Sequence, residues 1–139
     1  MINKILVPVD GSENSEKGLK YGCWLASKVG ASITVMHVVT IPYTGVSAVF
    51  QMIEPLEDAG KMILERSKKL IKSKCTDAHF VLRTGRGNAG HEIVKFAQGG
   101  NFSLIVMSAK GHSKLAHLLL GSVSETVTKH ANCTILIVK

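Results

Sequence analysis

The sequence predicts an α/β protein built on a doubly wound, five-stranded parallel sheet with helices on both faces. Two observations carry this prediction. Short continuous apolar runs, such as Ile5–Val9 and Leu104–Met107, are typical of strands buried on both faces of a parallel sheet. Segments with helical spacing separate these runs, and the alternation favours crossover connections and an open, Rossmann-like three-layer sandwich.

The first strand, Ile5–Val9, is followed by a helix with clear start and stop signals. Asp10 ends the strand, Glu13 and Glu16 complement the dipole of the first helical turn, and Gly30 supplies the C-cap. One face of this helix should pack on the sheet, because small or apolar residues recur at helical spacing: Leu19, Gly22, Cys23, Ala26 and Val29.

The later elements follow from the same patterns. Residues 40–53 show no firm period, so we expect a loop beside the site with at most a short helical turn. Further helices are expected from Leu56 to Lys74, from Ala89 or Gly90 to Gln98 with Asn88 as N-cap, and over Val123–His130. The remaining strands are expected at Ser32–Val39, His79–Thr84 and Thr134–Val138.

The composition is that of an ordinary globular chain. It has 139 residues, of which 45% are hydrophobic and 19% charged, so one domain covering residues 1–139 is expected. No segment approaches the ~18–20 apolar residues of a membrane span. The run Ile5–Val9 is too short for a signal peptide, so we expect a cytoplasmic protein. Cys23, Cys75 and Cys133 show no paired spacing, and their apolar surroundings favour buried, reduced thiols.

The net charge of +7 and a pI near 9.5 favour a polyanionic partner of some kind. One Trp, two Tyr and four Phe are too few for a base-stacking platform, so nucleic-acid binding is not expected. A solvated helix face accounts for the basic cluster formed by Lys61, Lys68, Lys69, Lys72 and Lys74.

Residues 104–127 carry the strongest functional signal. Gly111 follows the fourth strand, and Gly121 and Ser122 precede the last helix, with Glu125 at capping-box spacing from Ser122. The N–H groups that remain free at a helix start, together with the helix dipole, attract anions, and glycine lets the backbone approach a ligand. The pattern predicts a phosphate cradle. Its donors would be the Lys110 side chain, the Ser122 hydroxyl and the N–H groups of Val123 and Ser124.

The same stretch resembles the nucleotide-binding branch of the universal stress proteins. That family carries Gly-x2-Gly-x9-Gly-Ser, and this sequence has Ser108-x2-Gly111-x9-Gly121-Ser122, so three of four motif positions match. The likeness extends over the whole chain, from residues 5–12 to residues 133–138. It implies a homodimeric stress-response module that binds ATP or another adenine nucleotide, with Mg²⁺, and that hydrolyses it slowly at most.

The resemblance also implies roles for individual residues. Asp10 would bind a ribose hydroxyl, although an aspartate here also serves as a turn or helix-cap residue. Backbone groups near Val38 would read the adenine edge, although a strand valine is equally a core residue. The last strand, residues 133–138, would pair with its two-fold mate, unless it is buried within one sheet. The full candidate set is Pro8, Val9, Asp10, Val38, Met107, Ser108, Lys110, Gly111, Gly121, Ser122, Val123 and Ser124.

Ser108 departs from the family motif. If the family glycine serves a positive φ, serine carries a strain of about 1 kcal/mol. If it serves close approach, the added side chain would press on the ligand. Alternatively, the serine hydroxyl donates to a phosphate and little affinity is lost. A second hypothesis therefore keeps the fold, removes nucleotide binding and makes the protein a dimeric interaction module.

An enzyme is a further alternative. Gly85, Gly87 and Gly90 match the dinucleotide fingerprint Gly-x-Gly-x-x-Gly between a predicted strand and a predicted helix. The acidic residue expected at the end of the next strand is missing, so a glycine-rich turn capped by Asn88 explains the motif. No catalytic triad, carboxylate pair or Walker lysine is legible, and no catalytic residue is predicted.

The histidines suggest no metal site. His79 with Cys75, and His130 with Cys133, have loose ligand spacing but lack the second pair that zinc needs. His112 and His117 flank the predicted cradle and could contact phosphate, whereas His37 and His91 are more simply structural.

Overall fold

The computed structural model describes residues 1–43, 46–112, 117 and 119–139. Its strands pair in parallel in the order β3-β2-β1-β4-β5, which confirms the doubly wound α/β fold. The elements in chain order are β1 (Lys4–Pro8), α1 (Glu13–Val29), β2 (Ser32–Ile41), α2 (Val46–Ile71), β3 (His79–Arg86), α3 (Ala89–Gly99), β4 (Leu104–Ser108), α4 (Ser122–His130) and β5 (Thr134–Val138).

The sheet is covered on both faces. Ile5 and Val7 of β1 belong to the core shared with α1 and α2, while Leu6 points to the opposite face and packs with α3 and α4. A strand whose alternate side chains both enter a core reads as a continuous apolar run. No helix in the described part of the chain is long and apolar enough to cross a bilayer.

Helix α1 has the ends that its sequence predicts. Ser12 is the N-cap, and its hydroxyl accepts a hydrogen bond from the Ser15 N–H at 3.1 Å. Gly30 closes the helix with φ of 70°, a left-handed conformation that suits glycine. Gly22 lets the helix sit close to the sheet, since a β-carbon there would lie 2.8 Å from Val7 Cγ2.

Helix α2 is longer at its start than the sequence predicts. It begins at Val46 instead of Leu56 and ends at Ile71 instead of Lys74, and Pro55 lies inside it. Proline normally breaks a helix because it removes an N–H and crowds the carbonyl one turn earlier. Here Pro55 is on the exposed side, where water can satisfy that carbonyl, and Val49 (5% exposed) anchors the first turns in the core. The expected loop is therefore wrong for residues 46–53, and its residues 44 and 45 lie outside the described residues.

The prediction of three reduced cysteines is wrong for two of them. Cys23 of α1 and Cys75, which follows α2, form a disulfide with their Cα atoms 6.1 Å apart. They are 52 positions apart in sequence, so no local spacing reveals the pairing. Cys133 is free and partly buried.

Candidate functional site

A cavity of about 210 Å³ opens at the carboxyl ends of β1 and β4. The strand order reverses there, because β1 has β2 on one side and β4 on the other, and ligands of doubly wound sheets bind at such points. The structure brings together at this cavity all the candidate residues except Lys110: Pro8, Val9, Asp10, Val38, Met107, Ser108, Gly111, Gly121, Ser122, Val123 and Ser124.

One end of the cavity is apolar. Met36 and Val38 of β2 and Met107 of β4 meet Ala89 and Ile93 of α3. Sequence reasoning missed Met36, Ala89 and Ile93, because apolar residues inside predicted elements are assigned to the core by default. This end offers a surface for a flat, weakly polar ring system.

Asp10 lies at the polar end and is tied into the start of α1. Its Oδ1 accepts hydrogen bonds from the N–H of Ser12 at 2.9 Å and from the Ser12 hydroxyl at 2.5 Å. Burial raises the pKa of Asp10, but hydrogen bonds from Ser12 and Ser15 and the nearby His112 together outweigh it, so the pKa lies below the ordinary value of 3.8. The carboxyl group is therefore ionised at neutral pH. Its hydrogen bonds with Ser12 also give it the structural role, in the turn before α1, that the sequence allowed beside ribose binding.

Gly111 packs directly against this carboxylate. A β-carbon at position 111 would collide with Oδ2 of Asp10. Two hydrogen bonds hold the segment in place: Asn14 Nδ2 donates to the Gly111 carbonyl at 3.4 Å, and His112 Nε2 donates to the Asp10 carbonyl at 2.8 Å. This motif glycine thus makes room for the protein's own acidic group.

The start of α4 forms the opposite wall. Gly121 is the N-cap, its N–H donates to the Ala109 carbonyl at 2.7 Å, and the Ser124 hydroxyl donates to the same carbonyl at 2.6 Å. The N–H groups of Ser122, Val123 and Ser124 belong to the first turn of α4, where the helix has no carbonyl one turn earlier to accept from them. Free N–H groups at a helix start attract anions.

The predicted capping box is wrong. Ser122 is the first helical residue instead of the cap, and Gly121 offers no side chain to accept a hydrogen bond. Glu125 pairs with Lys129 one turn later at 2.8 Å, instead of reaching back to the helix start. The Ser122 side chain is consequently exposed at the rim of the cavity.

Ser108 carries no positive-φ strain. It is the last residue of β4 and pairs with Val138, and Asn101 is the one non-glycine residue with positive φ in the described ranges. Val106 packs on the α1 side of the sheet and Met107 on the α3 side, so the strand alternation directs the Ser108 side chain towards α1. Helix α1 packs closely on the backbone at this point, because a β-carbon at Gly18 would lie 3.2 Å from the Ser108 backbone nitrogen.

The glycines of the dinucleotide-like motif are accounted for by packing. A β-carbon at Gly85 would clash with Glu92, one at Gly90 would lie 2.7 Å from Thr126 Cβ, and Gly87 has φ of 75° beside Tyr43. Asn88 caps α3, as expected, by accepting from the Gly90 N–H at 2.7 Å.

Two histidines, His37 and His112, line the cavity, and the others lie on the surface. His37 Nδ1 lies 2.7 Å from the Val9 carbonyl, and its ring packs under Gly60 of α2. His91 and His130 are exposed neighbours whose ring centroids are 5.8 Å apart, and His117 is exposed. In the described ranges no three His, Cys, Asp or Glu side chains are placed to hold a metal ion.

Fold and cavity together define a doubly wound α/β protein with a cavity, bordered by a helix start, at the reversal of its strand order. The sequence matches the model of the Universal stress protein family over residues 1–139, and the chain belongs to that family. It is 34% identical to Universal stress protein MJ0531 of Methanocaldococcus jannaschii, over all of this chain and 83% of the relative. It is 33% identical to Universal stress protein YxiE of Bacillus subtilis, over the full length of both.

Solved structures of the family share the fold. The universal stress protein UspA from Lactobacillus plantarum superposes with a TM-score of 0.83 over 99% of this chain and 97% of its own, at 23% identity. Two further neighbours were solved with bound adenine nucleotides. One is a universal stress protein in complex with cAMP (TM-score 0.73, 23% identity, 99% and 97% covered). The other is the Archaeoglobus fulgidus protein in complex with dAMP (TM-score 0.69, 20% identity, 100% and 98% covered).

Proposed function

We propose that the cavity between β1, β4 and α4 binds an adenine nucleotide and that the protein acts as a regulatory module. The observation that carries the proposal is the meeting of Asp10, Gly111 and the start of α4 around one cavity. A cavity lined by an ionised carboxylate and by the start of a helix suits a ligand that presents hydroxyls at one point and an anion at another. A nucleotide has this arrangement.

Each part of the nucleotide has a matching surface. The base would lie at the apolar end, against Val38 and Met107. The ribose hydroxyls would donate to Asp10, which lines the cavity and whose Oδ1 also accepts hydrogen bonds from Ser12. The phosphates would accept from the N–H groups at the start of α4, with the Lys110 ammonium adding attraction. Relatives that bind cAMP and dAMP support the adenine preference.

Catalysis is not part of this proposal. The Ser124 hydroxyl already donates to the Ala109 carbonyl, and Asp10 is hydrogen-bonded and ionised with a lowered pKa, which makes it a weak proton acceptor. Mg²⁺ would arrive bound to the phosphates, since the described residues form no metal cluster. A nucleotide would then regulate by binding one conformation or assembly better than another.

The test is a calorimetric titration of the purified protein with ATP, ADP, AMP and cAMP, with and without Mg²⁺. We expect saturable binding that Asp10→Asn weakens, because the amide is a poorer acceptor for ribose hydroxyls. Asp77→Asn is the matched control, because that carboxylate is exposed in the turn before β3 and should leave affinity unchanged. Absence of binding at millimolar concentrations of all four nucleotides would refute the proposal.

A second candidate function follows from Ser108. If its hydroxymethyl group prevented nucleotide binding, the protein would be an interaction module, and Ser108→Gly would restore affinity by a large factor. The strand conformation of Ser108 and its direction towards α1 favour the first proposal. We therefore expect Ser108→Gly to change affinity by less than about threefold, which is under 1 kcal/mol.

We also infer a homodimer through β5. This strand lies at the edge of the sheet, and its residues 135–138 are only partly buried. The Val138 carbonyl bonds to the Ala109 N–H after β4, so by strand alternation the N–H of Ile137 points to the open edge. Ile137→Pro removes that donor without disturbing the pairing with β4. Sedimentation equilibrium should show a dimer for the parent chain and a folded monomer for the variant; a parent chain that is monomeric at every concentration would contradict the inference.

A further inference from the structure

The disulfide between Cys23 and Cys75 lies outside the proposed nucleotide site. Cys23 is in the middle of α1 and is 1% exposed, surrounded by core side chains such as Leu19 and Ile71. Cys75 follows the last turn of α2, where its N–H bonds to the Ile71 carbonyl at 2.8 Å, and its side chain is partly exposed. The two sulfurs of the bond therefore differ in access from solvent.

We propose that Cys23 and Cys75 form a reversible redox modification site that exchanges with small anionic thiols of the glutathione class, and that Cys75 is the sulfur attacked. An incoming thiolate bonds to Cys75 Sγ, the bond between the cysteines breaks, and Cys23 leaves as a thiolate that takes up a proton. A second thiol then attacks the mixed disulfide, which releases the oxidised small-molecule disulfide and leaves two protein thiols. Formation of the bond is the reverse, with the small-molecule disulfide as the two-electron oxidant.

The structure accommodates both states. In the oxidised state the bond joins α1 to the turn between α2 and β3, and neither cysteine belongs to a strand of the sheet. Once reduced, the Cys75 thiol has an acceptor in place, because its sulfur lies 3.6 Å from the Cys23 carbonyl oxygen. The Cys75 sulfur therefore has a contact in both states, with the Cys23 sulfur when oxidised and with the Cys23 carbonyl oxygen when reduced.

The charges around Cys75 suit an anionic thiol. Lys72 and Lys74 are exposed in the preceding turn, against a single acidic side chain, Asp77, in the following one. Positive charge near a cysteine favours its thiolate and attracts the carboxylates of a glutathione-type reagent. The buried position of Cys23 excludes the same reagent from direct attack there. The mixed disulfide should consequently form at Cys75 alone.

The experiment uses the full chain with Cys133→Ser as background, so that the remaining thiol cannot interfere. The reduced protein is incubated with glutathione disulfide, and the reaction is quenched by alkylating the free thiols. Mass spectrometry of the intact protein and of its peptides then identifies the modified cysteines. The background protein should lose both alkylatable thiols through an internal disulfide. Adding Cys23→Ser should trap one glutathione on Cys75. With Cys75→Ser instead, glutathione should add to Cys23 at least about tenfold more slowly.

Three results would overturn the proposal. One is glutathione addition to Cys23 of the folded Cys75→Ser variant as fast as to Cys75 in its counterpart. Another is two alkylatable thiols remaining in the background protein after oxidation. The last is an internal disulfide that excess reduced glutathione leaves intact in the folded chain. Circular dichroism spectra of the variants establish that each is folded, and modification of Cys23 in denaturant shows that its thiol is chemically competent.

Discussion

The carboxylate of Asp10 occupies the space where residue 111 would carry a β-carbon. The chain brings these residues together from 101 positions apart, because β1 and β4 are neighbouring parallel strands and both lead into the same edge of the sheet. Glycine at position 111 therefore sets the position of the acidic group on which the proposed ribose contact depends. The motif glycine acts through a protein side chain as well as through its backbone.

Gly111→Ala should weaken nucleotide binding. The methyl group collides with Oδ2 of Asp10, so the carboxylate must move and lose hydrogen bonds with Ser12. We expect adenine-nucleotide affinity to fall about tenfold or more, which corresponds to at least 1.4 kcal/mol, as measured by calorimetry. Gly99→Ala is the matched control, since a β-carbon at that position meets nothing within 4 Å. Equal affinities for the two variants would show that the position of Asp10 does not govern binding.

Asp10 should make folding more sensitive to acid. The pKa of Asp10 is lower in the folded protein than its ordinary value of 3.8. The ionised carboxylate therefore stabilises the fold at pH values above 3.8, and this contribution is lost as the pH falls through the folded-state pKa. Urea unfolding at pH 6 and at pH 3 should show a larger loss of unfolding free energy for the parent chain than for Asp10→Asn. Parallel losses in the two proteins would mean that Asp10 is not a net source of stability at neutral pH.

Sequence patterns predicted the sheet and most of the cavity for a simple reason. The carboxyl ends of parallel strands meet at one edge, so Asp10, Val38 and Ser108 had to converge once the strands were recognised. The pairing of Cys23 with Cys75 was hidden because it depends on how α1 and the turn after α2 pack. The sequence also did not show that Gly121, rather than Ser122, is the N-cap of α4. Both residues suit a helix start, and the hydrogen bond from the Gly121 N–H to the Ala109 carbonyl sets where the helix begins.

Pro55 shows how a strong local signal can mislead, and it leads to a prediction. Proline inside a helix costs about 3 kcal/mol relative to alanine, yet α2 continues through it. Pro55→Ala should therefore raise the free energy of unfolding by about 1–3 kcal/mol, because it restores a helical N–H at an exposed position. Chemical denaturation measures the effect, and Glu54→Ala, at the exposed neighbouring position, is the control. An unchanged or lower stability would indicate that proline is the better residue at this position.

The disulfide should contribute strongly to stability. Cross-linking residues 52 positions apart restricts the unfolded chain, and the loop-entropy relation gives about 4 kcal/mol for a loop of this length. Unfolding of the oxidised and dithiothreitol-reduced forms of Cys133→Ser should differ by up to that amount, with the reduced form less stable. The Cys23→Ser, Cys133→Ser variant should unfold near the reduced form and should not respond to dithiothreitol. A response in that variant would assign the effect to something other than the bond between Cys23 and Cys75.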